Sequence, residues 1–391
     1  MGIENNISRF YLYRIFQSAF LFVPIFILFL LDNGLSMMQA LFTQGYFALL
    51  MVLFEVPSGT FADKFGRKTA IVASSILVFF GTLTFALGHT FLVFLLAETF
   101  FALGVSMWSG TDSAFIYDTL KNLKRTKEFK KVYGNTQFVT FFMFGVGSLI
   151  GSYFADINLR LVIWLTLIPF GIAIILSLTL TEPKFSKKVE HQYWGHIKEA
   201  FNYAKNHKQI RFFIIFFMFV YGISESMWHL NQPYFKFVGL PIKFFGVIYF
   251  FIFLTTALAA KYAYKIEKSV GIKNTLYLIV IAPLLVYVIL GLFPSIWWVV
   301  LTAVPSFVFG MQYPIIDNYI NKNVESHHRA TIISLKNLSG MLLYATYAPF
   351  VGFIADIWSI TTSFLISALI LLIDYAILSY IFHIKKSKVF N

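Results

Sequence analysis

Long apolar runs separated by short polar turns dominate the 391-residue chain and decide what it can fold into. Many exceed 18 residues, the length with which a helix crosses roughly 30 Å of hydrocarbon. Lipid offers the backbone no hydrogen-bond partners, so such runs must be helices or a closed barrel. A barrel needs alternating strands of about ten residues, and these runs do not alternate. The chain therefore predicts an all-α membrane protein. Its first run, from about Phe10 to Leu31, is long enough for a full span and lacks a small-residue cleavage site, so it does not read as a cleavable signal.

Breakers between the runs predict twelve transmembrane helices. Six lie near 12–31, 38–62, 69–88, 91–118, 132–155 and 160–180. Six more lie near 210–233, 241–262, 272–292, 295–321, 330–354 and 359–382. The natural division is an N-terminal six-helix bundle over 1–183, a cytoplasmic linker over 184–209 and a C-terminal six-helix bundle over 210–391. Within the linker, His191 to Asn206 reads either as an interfacial amphipathic helix or as plain solvated chain.

Positive residues orient the spans. All Lys and Arg except Arg160, Lys236, Lys243 and Lys336 fall at the two termini or in the loops after even-numbered spans, with Arg9 and Arg14 assigned to the N-terminal group. Both termini are thus expected in the cytoplasm and the protein in the plasma membrane. The formal charge of +13 follows from this signal and from attraction to anionic lipid, so no nucleic-acid partner is needed. The chain has no cysteine, which excludes disulfides and thiolate metal sites. No metal or other cofactor is expected.

A shift of 200 residues aligns the halves. Ser106 falls on Ser306, Gly110 on Gly310, Ile116 on Ile316, and Ala155–Asp156 on Ala355–Asp356. Two pseudo-symmetric six-span halves in one orientation form the parallel-repeat plan of a rocking transporter.

Between spans two and three stands Gly59-Thr-Phe-Ala-Asp63-Lys64-Phe-Gly66-Arg67-Lys68. It fills every position of G-x-x-x-D-[RK]-x-G-[RK]-[RK], and in this the chain resembles the major facilitator superfamily over all twelve spans. Gly59 is expected to admit close helix packing and Gly66 a tight turn. The resemblance implies a conformational latch: Asp63 meets the start of span eleven, and Arg67 pairs with an acid at the cytoplasmic end of span four, where Asp118 stands. The stretches Glu55-Val-Pro-Ser-Gly59, Ser109–Asp118 and Arg329-Ala-Thr-Ile-Ile-Ser resemble a bacterial branch grouped with drug and small-molecule exporters. Two departures bear on proton antiport. Span four carries Glu98 in the region where antiporters usually carry an Arg, and span five reads Gly145-Val-Gly147-Ser-Leu-Ile-Gly151 without the usual proline.

Polar residues inside the spans are the candidate substrate and proton sites, because an ionisable group in hydrocarbon needs a partner or a water-filled cavity. Glu225 and His229 lie four apart on one face of span seven and are able to pair, with Trp228 between them. They suit either proton transfer or a structural hydrogen bond. Asp112 in span four suits either a cavity or a helix–helix hydrogen bond. Asn135 and Gln137 suit cavity lining or interhelical bonding. Trp108, Tyr117 and Trp228 share helices with the acids, and an aromatic cavity with acids suits a lipophilic cation. Lys336 is expected to snorkel to the cytoplasmic face, and Asp317 to be a structural charge at the cytoplasmic end of span ten.

These readings converge on a secondary active transporter of a small organic molecule, working by alternating access as a monomer. The expected direction is export coupled to protons, with an importer or uniporter as the alternative. A membrane-embedded transferase would gather catalytic residues on long loops, and no H-x-x-x-x-D spacing occurs; a sensor built on the fold usually carries an added soluble domain. No G-x-x-x-x-G-K-[ST] loop points to ATP. The chain is not expected to be an enzyme.

Overall fold

The computed structural model describes residues 2–184, 201–325 and 328–384, and in these the regular structure is helical. Most of the interfacial stretch considered for His191 to Asn206 lies outside the described residues; 201–206 are helical. In chain order the helices are α1 (Asn6–Gln17), α2 (Phe26–Asp32), α3 (Met37–Phe65), α4 (Arg67–Leu87), α5 (Phe91–Trp108), α6 (Thr111–Asn122) and α7 (Phe129–Ala155). They continue as α8 (Leu159–Leu178), α9 (Lys208–Phe237), α10 (Phe245–Leu292), α11 (Ala303–Asn323), α12 (Arg329–Ile357) and α13 (Ile360–Ile384).

Ten stretches are by themselves long and apolar enough to cross a membrane. One, Ile242–Leu292, is 51 residues long and holds two spans, parted at Gly271, whose φ of 78° and ψ of 156° interrupt the helix. The remaining span is the first, which is broken: α1 and α2 are separated by 18–25, a stretch with only a single 3-10 turn over Val23–Ile25. Ten stretches, the division at Gly271 and the broken first span make the twelve expected. Span four is interrupted as well. Gly110, with φ of 76°, breaks it into α5 and α6.

The chain divides into two compact units. One comprises Met1–Leu35, Tyr46–His191 and Pro241–Phe250; the other comprises Ser36–Gly45, Gln192–Leu240 and Phe251–Asn391. The first unit is held by an aromatic core in which Phe20 meets Phe101, Phe144 and Phe170, while Phe85 packs on Phe26 and Phe94. These ring contacts, edge-to-face except for the stacked Phe85–Phe94 pair, add to the packing that drives helix association in lipid. Gly81 and Gly104 draw α4 and α5 together: a Cβ at Gly104 would stand 2.8 Å from the Val78 side chain and 3.0 Å from the Ser74 carbonyl.

The span-five glycines have a local reason. Gly147 and Gly151, one turn apart on α7, lie against the backbone of Phe20 and Leu21 in the broken part of span one. A side chain at Gly151 would meet backbone, which no rotamer change relieves. Gly151→Val is therefore expected to cost about 1–3 kcal/mol, read as a lower melting temperature of the purified protein; unchanged melting would disprove the contact.

In the second unit α9 packs along α12, and Asp356 near the end of α12 accepts the N–H groups of Met37 and Met38, each at 2.8 Å. The carboxylate thus satisfies two orphan donors at a helix start. Gly352 permits the approach, since a Cβ there would stand 2.7 Å from the Met37 carbonyl.

The repeat is less regular than a constant shift of 200. The left-handed turn glycines Gly34 and Gly66 match Gly239 and Gly271 at a shift of 205. Gly110 breaks span four, whereas Gly310 sits inside the continuous α11, seated against the Thr256 carbonyl of α10. Loop lengths differ between the halves, so turns register at one shift and later helices at another.

Candidate functional site

Three groups of polar side chains stand out. The first is the predicted latch. Arg67 opens α4 and binds Asp63, one turn back, at 2.7 Å; its Nε stands 3.8 Å from the Asp118 carboxylate. The Arg67–Asp118 pair is therefore present, though looser than the bond within the motif. A further acid, Glu182, completes the group. Its two carboxylate oxygens accept the backbone N–H of Arg67 at 2.6 Å and of Lys68 at 2.9 Å. An anion at a helix N-terminus meets both orphan donors and the positive end of the helix dipole. Burial pushes the Glu182 carboxyl above its ordinary value, while the N–H groups of Arg67, Lys68 and Thr69 and the charge of Arg67 oppose that shift.

Gly66 is required twice at this turn. Its φ is 106°, and a Cβ would stand 2.6 Å from a Glu182 oxygen. Gly59 is a correction: it lies open, with nothing within 4 Å of where its Cβ would be, so close packing does not explain it. Lys64 lies over the Phe65 ring at 5.3 Å. Glu182→Ala is expected to lower stability by about 1 kcal/mol, the usual worth of an N-cap. The check is thermal unfolding beside Glu182→Gln, which keeps an acceptor and should lose less.

The second group lies in the first unit, where both broken spans meet. Arg14 of α1 is 1% exposed; its guanidinium sits 4.1 Å from the Trp108 ring centroid and donates to Thr140 of α7. Asp112, in the first turn of α6, is within electrostatic reach of Arg14 and accepts the Ser113 N–H at 2.6 Å. Tyr133 lies within electrostatic reach of both and shares a hydrogen bond with Gln137. Asn135 and Tyr117 are exposed, Tyr117 packing edge-on against Phe129.

Arg14 is the residue that sequence reasoning misplaced. Counted with the topogenic charges, it lies inside the protein instead. The available signal was its position within an apolar run, between Tyr13 and Phe16, rather than before it.

The third group lies in the second unit. His229 meets the Tyr344 hydroxyl at 2.7 Å, with Trp228 edge-on to its ring. Glu225 is partly buried beside Tyr221 and Tyr313, whose hydroxyls are hydrogen-bonded to each other. The i,i+4 spacing permitted a Glu225–His229 bond, but the imidazole is bonded to Tyr344. Lys336 also departs from its expected place at the cytoplasmic face. It is fully buried and ion-paired with Asp317, its ammonium 4.2 Å from the Phe217 ring centroid and 4.8 Å from that of Tyr313. A partner inside the unit, together with two ring faces, replaces the snorkelling expected of it.

Among the described residues no group of three His, Asp or Glu is placed to hold a metal ion. The second and third groups instead combine buried charge, hydroxyls and aromatic faces.

Known proteins agree with this architecture. The profile of the Major Facilitator Superfamily matches residues 14–345. The MFS-type transporter YxaM of Bacillus subtilis is 25% identical over 378 residues, covering 93% of this chain and 92% of its own. The quinolone resistance protein NorA of Staphylococcus aureus is 27% identical over 187 residues, 48% of this chain and 47% of that protein. Among solved structures, the nucleoside transporter NupG superposes with a TM-score of 0.79 at 15% identity, covering 98% of this chain and all of that one. A bacterial homologue of the lysosomal transporter Spinster gives 0.72 at 16% identity, with 96% of both chains covered. With its signature between spans two and three, its twelve helical spans and a family match over most of its length, the chain belongs to the Major Facilitator Superfamily of membrane transporters.

Proposed function

We propose that the protein exports a small organic molecule across the bacterial plasma membrane, driven by the proton gradient. It works as a monomer whose halves, 1–183 and 210–391, rock about a central site, with both termini and the 184–209 linker cytoplasmic. The observation that carries this reading is Glu225, an acid sunk in a membrane helix among tyrosines and forming no ion pair among the described residues. A carboxyl so placed gains or loses a proton according to which side of the membrane wets it.

Export is supported by the half-length likeness to a quinolone resistance protein, and orientation by the one-sided placement of Lys and Arg. In this mechanism the Gly59–Lys68 turn, with Arg67, Asp118 and Glu182, fixes the cytoplasmic ends of spans two to four as one piece, so they move together. Asp63 serves that piece and, as the family resemblance implies, the start of span eleven.

Purified protein in liposomes holding a trapped pH dye tests the proposal with a panel of organic acids, lipophilic cations and sugars under imposed proton gradients. Substrate-dependent proton movement opposite to the substrate supports it. Substrate flux with an unresponsive lumenal pH overturns proton coupling.

A further inference from the structure

We propose that Arg14 is the anchor of a binding site for an organic oxyanion, a carboxylate on an apolar body, built where the two broken spans of the first unit meet. The inference deepens the transporter reading and rests on it for its role as a substrate site. It replaces the lipophilic cation expected from the acids and aromatics alone.

The starting point is unmet hydrogen-bonding capacity. Arg14 has one nitrogen bonded to Thr140, while its Nε and Nη1 are buried with no partner among the described residues. Among the described residues the Trp108 indole N–H beside it is likewise buried and unpartnered, as are Gln17 Oε1 and Ser18 Oγ at the end of α1. Three of these five atoms only donate, and a hydroxyl can donate as well. Buried polar groups are nearly always satisfied, so a cluster of orphaned donors marks a place for an acceptor.

Charge points the same way. A guanidinium taken out of water needs an anion in contact with it. Asp112 supplies a favourable field but no hydrogen bond to Arg14; its carboxylate is engaged by the Ser113 N–H of its own helix. Tyr13 is committed to Ser75, and Tyr133 to Gln137. Among the described residues no acceptor thus claims the Arg14 Nε and Nη1.

Backbone geometry supplies the third argument. Membrane helices are broken where irregular backbone is sheltered and useful, and interrupted spans mark binding sites in transporters. Here α1 ends at Gln17, and α6 starts after the left-handed Gly110, so a half-helix N-terminus, the end that favours an anion, opens near the guanidinium. The Trp108 indole face supplies an apolar surface beside the guanidinium.

The test is equilibrium binding of three probes of one shape to the full-length protein in nanodiscs: 2-naphthoate, 2-naphthylmethanol and 2-naphthylmethylammonium. Wild type is expected to bind naphthoate at least about tenfold more tightly than the ammonium compound. Arg14→Gln should weaken naphthoate about tenfold or more and the alcohol far less. Trp108→Phe keeps the ring and deletes the N–H. It should weaken naphthoate severalfold, and it carries the test if Arg14→Gln does not fold. Absence of saturable naphthoate binding, preference for the ammonium, or wild-type affinity in the variants would overturn the proposal and leave the donors to structural water. Because binding is read without transport, naphthoate binding without proton movement keeps this site and sinks the coupling. Proton-coupled flux of cations alone does the reverse.

Discussion

Glu225→Gln is expected to abolish substrate-dependent proton movement while leaving the protein folded and inserted. The amide has the shape of the carboxyl and cannot ionise, so packing beside Tyr221 and Tyr313 is retained. What disappears is the exchangeable proton. Removing a positioned proton carrier typically costs two or more orders of magnitude, so proton flux in proteoliposomes should fall at least about 100-fold. Substrate exchange without a gradient should persist, since no substrate contact is deleted. Tyr344→Phe is the companion variant: it takes away the hydroxyl bonded to His229 and should lower flux far less. Undiminished acidification by Glu225→Gln would remove Glu225 from the mechanism.

Asp317→Asn should produce the largest loss of stability. Lys336 is completely buried, and its ammonium has Asp317 as its counter-charge. Removing one partner of a buried pair typically costs about 3–5 kcal/mol, because the remaining charge has nowhere to go. The Asp317 side chain is 30% exposed, so some water reaches the pair and the lower end, about 3 kcal/mol, is expected here. The reverse deletion should be milder. Lys336→Met takes the charge out of the interior and leaves Asp317 a path to water, at a cost of about 1 kcal/mol. Thermal unfolding of both single variants and the double variant checks the asymmetry. The double variant should recover most of what Asp317→Asn loses, and equal losses from the two single changes would contradict the buried-pair account.

The twelve spans were legible in the sequence because apolar length is a physical requirement of the bilayer, and helix ends generally fall within a few residues of the breakers. The interruptions were harder to read. Gly110 announces its break only through a φ that a glycine permits, and Ser18–Phe22 is as apolar as a helix would be. The Gly59–Lys68 turn was recognisable because each position answers a local demand, yet Glu182 lies 114 residues beyond Lys68 and no spacing rule reaches it. Lys336 and Asp317 were visible as charges but not as partners, since side-chain pairing across two helices depends on their rotation about their own axes. For Arg14 the charge-asymmetry rule itself misled: it counts a cation near a terminus and is blind to the side chain's turning inward.

The burial of Arg14 also bears on how the chain enters the membrane during synthesis. An arginine buried in α1, followed by a non-helical break, makes the first span a poor candidate for independent insertion. The partners of its guanidinium, Trp108 and Thr140, belong to spans four and five. The final packing of span one therefore depends on chain made as late as Thr140, so its guanidinium reaches its partners only after spans two to four have been synthesised.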